Sequence, residues 1–388
     1  MADKEINRIL ARTFLEMADI LETGRQLPRA VIALTALGSE HGEEELYRAA
    51  AMAAKQGIGV KVIGTKGADY PGVETVRISS EEEGHKALES LLVSGAVQGG
   101  VTMHYPFPIG VSTVGRVITP AKGKEMYIAT TTGTAAIDRV EGLVRNALYG
   151  IATAKACGVT EPTVGLLNID GARQAEIQLQ RLQANGYPIR FATSGRSDGG
   201  AVMRGNDLLR GSCDVMVADP LTGNILMKLF SSYSTGGNYE SVGYGYGPGM
   251  GGDFDKLILI VSRASGAPVV KGAIEFAAEL VRGKYQQVLA QELAAAKRAG
   301  LDAVLAGSRG QKQTGQSPST VLQPPKEIVT AEIHGIEILD LEDAVQALWQ
   351  QGIYAESGMG CTGPVILLSE AKIEQARSIL RGKGYISE

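Results

Sequence analysis

Ile6, Ile9, Leu10, Phe14, Met17 and Leu21 recur at helical spacing, which predicts an amphipathic helix over residues 5–22 with a face to pack on a sheet or on a partner. Residues 30–34 read as a buried strand that enters a turn holding Gly38 and Gly42, then a helix over 43–56. Strand, glycine turn and helix in that order begin an α/β unit. Glu43, Glu44 and Glu45 suit the positive end of that helix and argue against a phosphate there. Residues 60–64 predict the next strand and 84–94 the next helix. A strand through Tyr127 follows, then a long helix over 138–157, a strand over 163–170, a helix over 172–184 and an apolar strand over 213–219. A helix from Ile225, a strand over 256–261 and a helical stretch including 290–298 complete this part. Residues 233–254, rich in glycine and tyrosine, predict no regular element and read as a lid, a partner-binding loop or a disordered loop. Residues 307–325 are polar and aperiodic, a linker. Beyond it, a strand over 327–334, a helix over 341–350 capped by Asp340, strands over 353–356 and 365–368 around a glycine turn, and a last helix to Leu380 capped by Ser369 make a small unit. That unit is too short to be very stable alone and is expected to dock on the main body.

The chain has 388 residues, enough for two or three domains. Its 50 glycines exceed the usual share of about 7% and favour tight turns and backbone-lined sites. A net charge of −4 with no basic cluster excludes nucleic acid as a natural partner. No apolar run approaches the roughly 18 residues of a membrane span, and the first residues lack an apolar leader segment, so a cytoplasmic location is expected. Cys157, Cys213 and Cys361 are odd in number and without CxxC spacing, and His41, His85, His104 and His334 are scattered. Neither a metal site nor a disulfide framework is expected.

Cys361 sits in the run Ser357-Gly358-Met359-Gly360-Cys361-Thr362-Gly363-Pro364. Core packing rarely calls for such a run, because glycine buries no side chain. A glycine-rich turn leaves backbone N–H groups to face an anion or oxyanion, and a thiolate is the strongest side-chain nucleophile near neutral pH. Two readings stand: an acyl-accepting cysteine, or a small apolar cysteine at a strand edge. Thr130, Thr131 and Thr132 end a predicted strand, either as a phosphate cradle or as capping residues of a β-turn. Ser262 and Arg263 lie on a turn after a strand, where a guanidinium suits phosphate; a surface arginine is the other reading. Asn224 follows a strand end, where open α/β sheets bind ligands.

Several stretches resemble the phosphate acyltransferase superfamily, which includes phosphotransacetylases. They are Leu92-Val93-Ser94-Gly95-Ala96, the segment from Asp214 to Asp219 with Gly223, Asn224 and Lys228, and Gly266 to Gly272, which resembles a strand motif of that group. Leu37 to Gly42 echoes the opening of its phospholipid-synthesis member. The resemblance implies a two-domain isopropylmalate-dehydrogenase-like α/β fold with a small C-terminal α/β extension. The divisions expected are residues 1–137 with 265–306, residues 138–264, a linker over 307–326 and a C-terminal unit over 327–388. Arg282 matches a phosphate- or acyl-binding arginine of phosphotransacetylases, although Val281 stands where they carry serine and no acidic residue matches their catalytic aspartate.

With its appended unit the chain resembles, over its whole length, the α subunits of component C of glycine/sarcosine/betaine reductase complexes. That resemblance implies that Cys361 accepts an acetyl group as a thioester and that inorganic phosphate, the co-substrate, releases it as acetyl phosphate. Thr130, Thr131, Thr132, Ser262, Arg263, Arg282 and Asn224 are then the candidates to hold phosphate or acyl group, with backbone N–H groups at Gly360 and Thr362 facing the oxyanion. No tightly bound cofactor or metal is implied. The implied partners are the β subunit of component C and the selenoprotein carrier, in a homo- or hetero-oligomer. Two alternatives remain: a free-standing phosphate acyltransferase using coenzyme A or acyl carrier protein, and a non-catalytic scaffold subunit.

Overall fold

A computed structural model describes Phe14, residues 30–311 except 68–69 and 196–198, and residues 323–386 except 328, 330, 338–339 and 361–362. The expected N-terminal helix, apart from Phe14, lies outside the described residues, as do Cys361 and Thr362. In chain order the elements are β1 (Val31–Thr35), α1 (Glu43–Ala54), β2 (Gly59–Gly64), β3 (Val73–Arg77), α2 (Glu81–Val93), β4 (Gly99–Thr102), β5 (Val111–Ile118), β6 (Glu125–Thr134) and α3 (Arg139–Ala156). Next come β7 (Thr163–Leu167), α4 (Ala172–Ala184), β8 (Arg190–Phe191), β9 (Val202–Met203), α5 (Gly205–Arg210), β10 (Val215–Val217), α6 (Pro220–Ser232), β11 (Gly247–Met250), β12 (Ile258–Ile260), α7 (Ala267–Arg282), α8 (Tyr285–Arg298) and α9 (Leu301–Gln311). The last part holds β13 (Ala331–His334), α10 (Leu341–Trp349), β14 (Ala355–Gly360), β15 (Gly363–Leu368) and α11 (Ile373–Gly382).

The class is α/β, as expected. One sheet runs β3-β2-β1-β4-β12-β11-β5-β6-β10-β7-β8, with β9 also on β7. It contains two parallel blocks, β3-β2-β1-β4-β12 and β6-β10-β7-β8, joined by antiparallel β11 and β5. Strands buried on both faces read as continuous apolar runs, which is why 31–35 and 215–217 are legible as strands. Helices cover the sheet, and their alanine-rich faces permit close packing: α1 buries Leu46, Tyr47, Ala49, Ala50 and Ala53. The blocks are tied by Arg116 of β5, which is buried, donates to Glu279 of α7 at 2.8 Å and lies 3.8 Å from the Tyr244 ring centre.

Four expectations for residues before the C-terminal unit are corrected first. The 233–254 tract contains β11, a buried strand in the middle of the sheet. Glycine is required there by close approach, since a Cβ on Gly247 would lie 1.8 Å from the Val114 carbonyl oxygen, and its φ is +85°. The Gly266–Gly272 motif opens helix α7, with proline in the first turn, rather than a strand. Sheet pairing also crosses the expected divisions: β5 and β6 belong with β10, and β12 belongs with β4. Sequence order carries no record of which strands become neighbours. Finally, α9 reaches Gln311, so helix occupies the first residues expected as linker.

The C-terminal unit is a three-stranded antiparallel sheet, β13-β15-β14, with α10 and α11 packed on it around Ile333, Ala344, Leu348, Ile366 and Leu380. The glycine run is largely strand rather than turn: β14 pairs with β15 through Gly358↔Val365, Met359↔Pro364 and Gly360↔Gly363. Cys361 and Thr362 follow Gly360 in sequence and precede Gly363. Asp340 and Ser369 make no side-chain cap to the helices they precede. Asp340 instead accepts from Gln174, while the Arg173 N–H donates to Glu337 at 3.0 Å. These bonds dock the unit on the first turn of α4. Burial raises the Glu337 carboxyl above its ordinary value, against the opposing bonds from Arg173 and Gly171 N–H groups.

Candidate active site

A cleft of about 410 Å³ opens where the C-terminal end of β12 meets the later part of β6 and the side of α6 that carries Asn224 and Lys228. Ligands of α/β sheets favour strand ends of this kind. Thr132, Asn224, Ser262 and Arg263 line it together with Lys228 and His104. It adjoins a small recess of about 20 Å³, with which it shares Met103, His104 and Arg263.

Helix α6 carries two of these groups. Asp219 caps it, accepting from the Leu221 and Thr222 N–H groups at 3.0 Å each. Asn224 and Lys228 are four residues apart and so share a face. Asn224 Nδ2 donates to the Thr131 carbonyl at 3.2 Å, and the Lys228 ammonium lies 5.7 Å from the Tyr246 ring centre. No carboxylate partners Lys228 among the described residues. Tyr246 is buried and donates to Glu240 at 3.2 Å. Burial first and the Glu240 charge second push its phenol up, so it stays an O–H donor at neutral pH.

Ser262 and Arg263 leave β12 in a tight turn. The Ala264 N–H donates to Ser262 Oγ at 3.1 Å, and the Ser262 N–H to Ser265 Oγ at 3.0 Å. The Glu40 N–H donates to the Arg263 carbonyl at 2.9 Å, which joins this turn to the one after β1. Gly38, at φ +92°, sits where a Cβ would lie 3.6 Å from the Arg263 guanidinium and 3.0 Å from a Glu81 oxygen. Arg263 and Glu81 are half exposed and 3.9 Å apart, a loose pair that a bound anion could replace at small cost. His85 and His104 face one another across the recess, ring centres 6.3 Å apart.

Other expected residues fall elsewhere. Thr130 and Thr131 are fully buried, because β6 continues past them to Thr134. Thr130 Oγ1 donates to the Thr113 carbonyl at 2.6 Å and Thr131 Oγ1 to the Tyr246 carbonyl at 2.6 Å. Their hydroxyls are consumed within the sheet, and Thr132 alone of the three lines the cleft. Arg282 ends α7, about 22 Å along the helix from the Ser262–Gly266 turn, where it suits the negative helix end. The first turn of α7 is taken up by Glu45, which accepts from the Ala267 N–H at 2.9 Å and Tyr239 O–H at 2.6 Å. Burial raises the Glu45 carboxyl, but these two bonds outweigh it and hold it below the usual range. Lys228 and His104 were missed as site residues. The signals available were the i+4 spacing from Asn224 and the position just after a strand end.

Cys157 and Cys213 are buried, and burial pushes each thiol up to about 12. Gly360 stands in the β14 ladder. Strands β10 and β7 are parallel neighbours, so α6 and α4 start from the same end of the sheet. The C-terminal unit, docked on the first turn of α4, is therefore at the end from which the Asn224 helix begins. Among the described residues no helix is long and apolar enough to cross a membrane, and no three His, Cys, Asp or Glu side chains group to hold a metal ion.

The family model described as "Fatty acid synthesis protein" matches residues 30–367. The glycine/sarcosine/betaine reductase complex component C subunit alpha of Peptoclostridium acidaminophilum is 54% identical over 383 residues, covering 99% of this chain and 100% of the relative. The chain belongs to the family of these component C alpha subunits. A phosphate acyltransferase of Thermus thermophilus is 29% identical over 234 residues, 51% of this chain and 70% of that one. A branched-chain phosphotransacylase structure from Enterococcus faecalis is 18% identical with a TM-score of 0.45, covering 65% of this chain and 99% of that chain.

Proposed function

We propose that this component C alpha subunit carries an acetyl group as a thioester on Cys361 and passes it to inorganic phosphate. The observation that carries the reading is the 54% identity to a component C alpha subunit across the full length of both chains, including the C-terminal unit. The burial of Cys157 and Cys213, each held as a neutral thiol, leaves Cys361 as the cysteine suited to nucleophilic work. Arg263 and Lys228 supply positive charge for a phosphate dianion, and Ser262, Thr132 and Asn224 supply neutral hydrogen-bonding groups around it.

In the reaction a phosphate oxygen adds to the thioester carbonyl. The carbon–sulfur bond then breaks, and the proton of the hydrogen phosphate passes to the departing Cys361 sulfur, which gives acetyl phosphate and the free thiol. Holding phosphate close and oriented is the main contribution the protein makes. Backbone N–H groups beside Cys361 would stabilise the tetrahedral oxyanion. The β subunit of component C and a selenoprotein carrier would deliver the acetyl group in a cytoplasmic complex, and the chemistry needs no tightly bound cofactor.

Arsenate-driven hydrolysis of acetyl phosphate tests this reading. The parent protein is expected to catalyse it, Cys361→Ser to lose it, and Cys157→Ala and Cys213→Ala to keep it. Full activity in Cys361→Ser would refute the thioester. Activity that required coenzyme A would favour a free-standing phosphate acyltransferase, the reading suggested by the Thermus relative.

A further inference from the structure

A second groove, of about 580 Å³, lies at the other end of strand β12 from the cleft. Gln98 lines it just before β4 begins, and Leu257 just before β12 begins. Leu92 and Val93 at the end of α2 and Val281 at the end of α7 add to its apolar wall. Val93 is 78% exposed. A large apolar side chain at a concave apolar wall marks a contact surface, where a lone exposed residue does not.

We infer that this groove seats the chain's own N-terminal segment, residues 5–22, which apart from Phe14 lies outside the described residues. Three observations favour that occupant. The first is where the chain enters the body. Val31, the first residue of β1, donates its N–H to Gln98 Oε1 and accepts from the Gln98 N–H, each at 2.9 Å. The entry point is therefore the edge of the groove. Seven residues, Thr23 to Arg29, join the segment to Ala30 and reach at most about 25 Å. So short a tether holds the segment beside the groove at an effective concentration on the order of millimolar, which a separate partner does not match.

The second is the apolar pattern. Leu10, Phe14, Met17 and Leu21 fall at i, i+4, i+7 and i+11, one stripe of a helix. Phe14 is helical and 66% exposed, so this stripe, like Val93, has apolar surface left to bury. The third is charge. Lys284, at the start of α8, lines the groove with no carboxylate partner among the described residues, while Lys256 is paired with Glu89. The half of the segment nearest the tether carries Glu16, Asp19 and Glu22 and no basic residue, which suits Lys284. Asp255 also lines the groove and suits Arg12. Seated there, the segment covers the end of the strands opposite the cleft and leaves the cleft open.

Limited trypsin digestion of the full-length chain, read by mass spectrometry at Arg8 and Arg12, tests the inference. Cleavage there requires the segment to leave the groove, so its rate follows the open population. Val93→Glu is expected to speed both cleavages at least about 10-fold, with unchanged circular dichroism because the position is exposed. Ile137→Glu, at an 87% exposed apolar residue before α3, is expected to cleave at the parent rate. Seating within one chain is read from Val93→Cys combined with Met17→Cys or with Leu21→Cys. Mild oxidation is expected to give an intrachain disulfide in at least one of the two pairs. Equal cleavage in the parent and Val93→Glu would overturn the inference, because the segment would then be free or sheltered elsewhere. So would a disulfide that joins two chains, which would place a second copy's segment in the groove, or the absence of a disulfide in both pairs.

Discussion

Gly223→Ala is the substitution that most sharply joins packing to the cleft. Helix α6 crosses β6 so closely that a Cβ on Gly223 would lie 1.8 Å from the Thr130 carbonyl oxygen and 3.1 Å from the Thr131 Cα. Contacts under 3.0 Å to backbone atoms do not occur in real structures, so the helix must retreat by about 1.2 Å. That movement breaks the Asn224–Thr131 hydrogen bond, already 3.2 Å long. Overpacking costs about 1–3 kcal/mol and the lost bond about 1 kcal/mol, so stability falls by about 2–4 kcal/mol. At about 2–4 °C per kcal/mol, Tm drops by roughly 4–16 °C. Asn224 and Lys228 move with the helix, and a misplacement of about 1 Å lowers arsenate-driven turnover on the order of 100-fold. Gly205→Ala is the control: nothing lies within 4 Å of a Cβ there, and its Tm is expected to match the parent. A Gly223→Ala protein that melts with the parent and keeps full turnover would refute the packing argument.

Two further predictions follow from the placement of charges and thiols. Arg263→Gln is expected to weaken phosphate binding, measured by calorimetry, at least about 10-fold, whereas Arg282→Gln, at the far end of α7, is expected to leave it unchanged. The raised thiols of Cys157 and Cys213 predict an alkaline stability loss. Below an unfolded value of 9.0 both states hold the protons; from there to about 12 the unfolded chain ionises and the folded one does not. Stability should therefore fall as pH rises through this window, and Cys213→Ala should flatten that fall relative to its own neutral-pH stability in denaturant titrations.

The alternation of strands and helices was legible because apolar runs and helical spacing report burial directly, as at 31–35 and 43–54. Ser262, Arg263 and Asn224 were legible because polar residues follow the ends of β12 and β10; Thr132 was named on the same ground although β6 runs on to Thr134. What failed depends on neighbours distant in sequence. β11 is Gly-Pro-Gly-Met, which has no side-chain period, and its burial comes from β5 and β12 on either side. Thr130 and Thr131 look like a strand end until Thr113 and Tyr246 accept their hydroxyls from across the sheet. Arg282 was placed by the match of Val281-Arg282-Gly283 to a family motif, yet the 16 residues of α7 carry it away from the Ser262–Gly266 turn. The docking of Glu337 and Asp340 on α4 joins residues more than 160 positions apart, and no local pattern announces it.

The central claim is that Cys361 carries the acetyl group. The most direct measurement is peptide mass spectrometry of the full chain after exposure to acetyl phosphate. The account predicts one acetyl group, on Cys361, absent from Cys157 and Cys213 and removed by phosphate or arsenate. An unmodified Cys361 in protein that still catalyses acetyl-phosphate arsenolysis would contradict it.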